Sequence, residues 1–145
     1  MTKRIKIGLL EPKFYEMLSA IDKHIVDSGL TTPQLDLLKI RASQINGCAY
    51  CIQSHTKDAR AHGEAEKRIY ALDAWEESPY FTDEERAILA LTEEVTLIQD
   101  KRVSNETYER VVGLFGEKLT ANLIMAIISI NAWNRIGIAT RMTPA

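Results

Sequence analysis

The segment Cys48-Ala49-Tyr50-Cys51, with His55 four residues further on, gathers the most reactive side chains of the sequence. These are the only two cysteines, so any intrachain sulfur chemistry runs between them. Steps of three and four residues place Cys48, Cys51 and His55 on one face of a helix. Such a face offers a nucleophilic thiol, a second thiol that can close a disulfide with it, and a base. A free cysteine has a pKa of about 8.5, so at neutral pH it needs help to ionise. Asn46 is expected to cap the helix that carries the pair. Cys48 then falls in the first turn, where free amides and the helix dipole favour a thiolate. His55 is the nearest base, and a histidine works better when a second group orients it. The preceding helix supplies one carboxylate, Asp36, on the other arm of the hairpin. Its helix neighbours Lys39 and Ser43 are polar. Asp36 is therefore expected to lie off the apolar stripe and to act through His55.

The elements that must hold these groups read as helices. Phe14, Leu18, Ile21 and Ile25 recur on one helical face, with Pro12 near its start. Thr32-Pro33 reads as a cap and a first-turn proline, opening a helix to about Ile45 with the stripe Leu35, Leu38, Ala42 and Ile45. Asn46-Gly47 turns the chain, and the cysteine helix runs to about His62 before Gly63. A fourth helix from about Glu64 to Trp75 turns Ile69, Leu72 and Trp75 inward. Thr82 and Glu85 form a capping box before Ile88, Leu91, Val95 and Ile98. Ser104 caps a sixth helix through Phe115, and Leu119 to about Thr140 is the last and most apolar. No segment alternates as a strand should, although Arg4 to Gly8 reads as a short extended arm. The fold class is all-α, a single domain over residues 1–145.

At 145 residues with 46% hydrophobic content, the chain can bury a core. A formal charge of -2 provides no basic footprint for nucleic acid. Lys3, Arg4, Lys6 and Pro12 interrupt the N-terminal region, which does not read as a signal peptide. Leu119 to Ala139 is the best membrane candidate, but Asn122, Asn131, Asn134 and Arg135 are costly in lipid. It reads as a buried core helix, apolar on nearly every side, so a homo-oligomer is expected. Trp133 is the contact residue to look for. The expected compartment is the reducing cytoplasm, where a CxxC is more often catalytic, redox-active or metal-binding than structural.

Other readings of the cysteine pair stand beside the redox one. The two thiols could be inert core residues, since free cysteine is often buried. Cys48, Cys51, His55 and Asp36 could hold zinc, but such sites usually draw on a second Cys or His pair. Of the other histidines, His24 reads as solvated and His62 as a helix-end cation, so no metal or cofactor is expected. A thioredoxin-like reading fails because that motif follows a strand.

The stretch from Ile40 through Ser43-Gln44-Ile45-Asn46-Gly47 to Cys51, continuing past His55 to Arg60, resembles the carboxymuconolactone decarboxylase superfamily. It is most similar to the AhpD-like alkylhydroperoxidase branch. The resemblance extends through Tyr70, Ala74-Trp75 and Ser78 to Thr82, and returns from Asn131 to Arg135. It implies an all-α homo-oligomer, commonly a trimer or hexamer, that reduces hydroperoxides at the expense of a dithiol reductant. It also implies that Cys51 attacks the peroxide, Cys48 resolves the sulfenic acid and His55 relays protons. The family's relay glutamate falls on Asp36, one methylene shorter. Tyr50 stands where the best-known peroxidase members carry a histidine. The alternative is a non-redox member, decarboxylase-like or an oligomeric binding protein. The decarboxylases generally lack the cysteine pair, so its presence favours the peroxidase.

Overall fold

The computed structural model describes residues 2–100 and 102–145. It contains α1 (Ile7–Leu10), α2 (Pro12–Val26), α3 (Thr32–Asn46), α4 (Ala49–Ala61), α5 (Glu66–Ala71) with a 3-10 turn at Leu72–Ala74, α6 (Asp83–Thr96) and α7 (Asn105–Ala139). No strand occurs among the described residues. The expected arm at Arg4 to Gly8 instead runs into the single turn of α1.

Local chemistry sets the helix starts. Thr31, one residue earlier than expected, caps α3: its hydroxyl accepts from the Gln34 amide, while the Gln34 side chain accepts from the Thr31 amide. Thr82 and Glu85 form the expected box at α6, and Ser104 accepts from the Thr107 amide at α7. The two apolar patterns read as the last two helices run on as α7. Its axis is broken at Gly116, whose φ of 75° and ψ of 168° belong to backbone that only glycine adopts readily.

α3 is the central element, packed by α4, α6 and α7. Leu35, Leu38 and Ala42 meet Ile88 and Leu91 of α6 and Leu123 and Ile127 of α7. Leu37 and Ile40 point the other way, onto Ala59, Ile69, Leu72, Trp75, Phe81 and Leu89. Each fully buried Leu or Ile contributes about 1.5–3 kcal/mol. With both faces covered, the polar side read from Asp36 and Ser43 is not solvated. Asp36 is 5% exposed and Ser43 fully buried.

Polar bonds pin the α3–α4 turn onto α7. Asn46 does not cap α4; its amide donates to Asn131 and Asn134 at 2.9 Å each. Asn134 in turn donates to the Ser43 hydroxyl at 2.9 Å. Gly47 closes α3 with a left-handed φ of 69°.

Two apolar surfaces stay uncovered. α2 rests mainly on α7, so Ile25 enters the core while Phe14, expected inward, is 58% exposed. Phe14 lines a groove of about 600 Å³ with Ile5, Leu10, Met17 and Ile136. By length and composition α7 could cross a membrane, yet only 28% of its most apolar window is buried within the chain. Leu123, Ile127 and Ile130 are inside, whereas Met125, Ile128 and Ile138 face outward.

Candidate active site

Cys48 and Cys51 are joined as a disulfide at the start of α4, and both are buried. Cys48 is itself the cap. Its Sγ accepts the Cys51 amide hydrogen at 3.3 Å, the place a serine or asparagine oxygen usually takes. Behind the sulfurs stands Gly137 of α7. A Cβ there would lie 3.0 Å from Cys48 Sγ and 3.5 Å from Cys51 Sγ, so glycine permits the close approach of α7. In front of them opens a cavity of about 260 Å³. Cys51 lines it and Cys48 does not.

Four helices furnish the cavity. Ser54 and His55 come from α4, Lys39 from α3, Tyr15 and Asp22 from α2, and Ile130 and Trp133 from α7. Tyr50 and Met142, each 37% exposed, also contribute. Asp22 accepts the Ser129 hydroxyl at 2.5 Å and the Trp133 indole N–H at 2.8 Å, one bond to each carboxylate oxygen. Tyr15 meets Trp133 edge to face, with centroids 5.0 Å apart. Trp133, the residue expected at a subunit contact, lines this cavity.

Burial pushes His55 down to about 4, and the Lys39 charge acts in the same direction, while Asp58 and Asp22 pull weakly upward. The imidazole in the cavity is thus neutral at pH 7. The Lys39 ammonium has no hydrogen bond or ion pair among the described residues.

Cys48 starts α4, and Cys51 and His55 line one cavity from that helix, as the helical spacing predicts, but Asp36 has a different partner from the one expected. His62 donates its Nδ1 hydrogen to Asp36 Oδ2 at 2.7 Å. The reason is hairpin register: α3 and α4 fold back on each other about Gly47. Asp36, near the start of α3, meets the far end of α4. Lys39 and His55 lie equally far from Gly47 on either side. That symmetry could have pointed to Lys39 from the sequence; nothing local pointed to Asp22 or Tyr15. Asp36 is raised above the ordinary carboxylate value by burial, which outweighs the opposing pull of His62. Among the described residues, no three His, Cys, Asp or Glu side chains converge as a metal site would require.

Residues 12–94 match the model of the carboxymuconolactone decarboxylase family. The uncharacterized protein YdfG of Bacillus subtilis is 42% identical over 139 residues, covering 96% of this chain and 95% of its own length. The crystal structure of ATU0492 from Agrobacterium tumefaciens, a protein of unknown function proposed for antioxidant defence as AhpD, superposes with a TM-score of 0.94. Its identity is 33%, with 99% of both chains covered. The debrominase Bmp8, solved with 2,3,4-tribromopyrrole in a cysteine-to-alanine form, shares the fold at a TM-score of 0.79 and 16% identity. That match covers 93% of this chain and 72% of Bmp8.

Proposed function

The chain belongs to the carboxymuconolactone decarboxylase family, and within it we propose that this protein is a thiol-dependent peroxidase that reduces hydroperoxides. The observation that carries the reading is the asymmetry of the cysteine pair. Cys51 shares the cavity with His55, while Cys48 stands behind it against Gly137, within disulfide reach.

In the proposed cycle Cys51 Sγ attacks the terminal peroxide oxygen. The O–O bond breaks, an S–OH group forms on Cys51, and the alcohol leaves. A group at about 4 does not strip a proton from a resting thiol. The proton therefore moves onto His55 as sulfur attacks, and passes on to the departing alkoxide. Cys48 Sγ next attacks the Cys51 sulfur and the S–OH bond breaks. Hydroxide leaves as water, carrying the Cys48 proton. One peroxide becomes an alcohol and a water; two thiols become the disulfide. A dithiol reductant restores both thiols, which suits the reducing cytoplasm expected from the sequence. Asp36 acts on this chemistry only at a distance, by tying the far end of α4 to α3 through His62.

Self-association belongs to the same proposal. The groove beside Phe14 and the outer face of α7 are assigned to contacts between copies of the chain. Light scattering at micromolar concentration is expected to give a multiple of the 16.4 kDa chain mass; a clean monomer would rule this out.

The activity is tested by adding one equivalent of hydroperoxide to the reduced protein and counting thiols, then measuring peroxide consumption with dithiothreitol. Both thiols are expected to disappear within the monomer chain, and Cys51→Ser is expected to abolish turnover. Retention of both thiols, or a Cys51→Ser variant as fast as the parent, would overturn the assignment.

A further inference from the structure

The cavity in front of Cys51 is lined by one carboxylate, one imidazole and one amine, from Asp22, His55 and Lys39, and they are not equally committed. Each oxygen of the Asp22 carboxylate already accepts a hydrogen bond from α7. His55 is neutral at pH 7. Among the described residues, Lys39 is left as the one cation lining the cavity. The contrast with Arg41, two residues along α3, is informative. Arg41 is spent on Asp73 at 2.6 Å, Glu93 at 2.9 Å and Gln44 at 3.2 Å. Lys39 points to the opposite side of α3 and meets no such acceptor among the described residues. The nearby Asp36 is taken by His62. An unspent ammonium over a half-closed cavity is a site for an anion.

The remaining walls say what the anion is attached to. Tyr15, Trp133 and Ile130 offer aromatic and aliphatic surface, with the Trp133 N–H already committed to Asp22. A dry apolar cavity of about 150 Å³ accommodates benzene. At about 260 Å³ this one has room for a single ring or a short branched chain bearing two small polar ends. One end must reach Cys51; the other meets Lys39.

We propose that the cavity binds a carboxylate-bearing organic hydroperoxide of about one-ring size, its apolar body on Tyr15 and Trp133, its carboxylate on Lys39 and its peroxide at Cys51. This rests on the peroxidase reading for the identity of the reacting group, while the anion site stands on the cavity alone. Lys39 is then a specificity-determining residue. A carboxylate held by an ammonium in a partly closed site gains about tenfold or more over a neutral group of the same shape.

The test uses matched pairs. Turnover is measured with cumene hydroperoxide and its para-carboxylated analogue. Binding to the oxidised protein is measured by calorimetry with 4-isopropylbenzoate and 4-isopropylbenzamide. The wild type is expected to prefer the carboxylate at least tenfold in kcat/KM and in Kd. Lys39→Met is expected to bring both ratios to about one, and Lys39→Arg to keep them well above one. Equal kcat/KM for the two peroxides in the wild type, or a preference that survives in Lys39→Met, would overturn the proposal. An equal loss on both substrates in Lys39→Met leaves the ratio standing, and so counts against it too. If neither peroxide is consumed, the peroxidase reading fails, and the binding arm still decides for or against Lys39.

Discussion

Two histidines, His55 within α4 and His62 capping its end, have opposite circumstances. His55 is half-buried beside Cys51, with no carboxylate hydrogen bond among the described residues, and desolvation holds it at about 4. His62, two turns further on, is half-exposed and bonded to the buried Asp36. A familiar expectation would choose the histidine–carboxylate pair as the reactive one. The cavity argues otherwise. A histidine whose hydrogen is already committed to a buried carboxylate holds two helices together; a histidine with uncommitted nitrogens beside a sulfur can carry a proton during a reaction. On the proposed cycle, hydrogen-bond satisfaction marks the structural end of this helix, and its absence marks the chemical end.

The comparison is most easily broken at His55. His55→Gln is expected to slow peroxide-driven disulfide formation by about 10²-fold or more, as for loss of an acid–base group. Stopped-flow thiol oxidation measures this, and a variant within twofold of the parent would remove His55 from the chemistry. The same residue sets a pH signature. An unfolded histidine titrates near 6.5 and the folded one near 4. Between these values the unfolded chain binds a proton that the folded chain does not, so stability rises with pH across the window and is lost as pH falls from 6.5 toward 4. The oxidised wild type should lose roughly 3 kcal/mol more than His55→Gln between pH 7 and pH 4 in urea titrations. Identical pH profiles would contradict the half-buried, neutral imidazole.

The other end of the helix should respond in stability instead. Asp36→Asn keeps the shape but weakens the bond to His62, and about 1–2 kcal/mol of stability should be lost. The oxidation rate should stay within about twofold. A 10²-fold rate loss with an unchanged urea midpoint would return Asp36 to the proton relay. His62→Gln, at a half-exposed position, is expected to cost less still, about 1 kcal/mol or under, with no change in rate.

The two ends also differ in how legible they were. Cys48, Cys51 and His55 are neighbours on one helix, and helical spacing alone aligned them. Local hydrogen-bond chemistry likewise revealed the Thr82–Glu85 box and the Ser104 cap. What the sequence hid depends on packing between distant segments. Asp22 joins the cavity because Ser129 and Trp133 of α7 reach back to α2. Asp36 goes to His62 because hairpin register, not residue type, decides who meets whom. Asn46 looked like a cap, yet α7 offers it two better partners. Cys48 was then left to start α4 with its own sulfur.

That last substitution has a use beyond packing. The Cys51 amide points at a sulfur atom whose bonding, on the proposed cycle, changes with every turnover. A thiolate, a thiol and a disulfide sulfur are acceptors of different strength, so the Cys51 amide proton should resonate at a different field in each state. The first turn of α4 is in effect a built-in gauge. A two-dimensional nitrogen–proton spectrum could read the oxidation state of the pair in a living cell, with no dye attached and no residue changed.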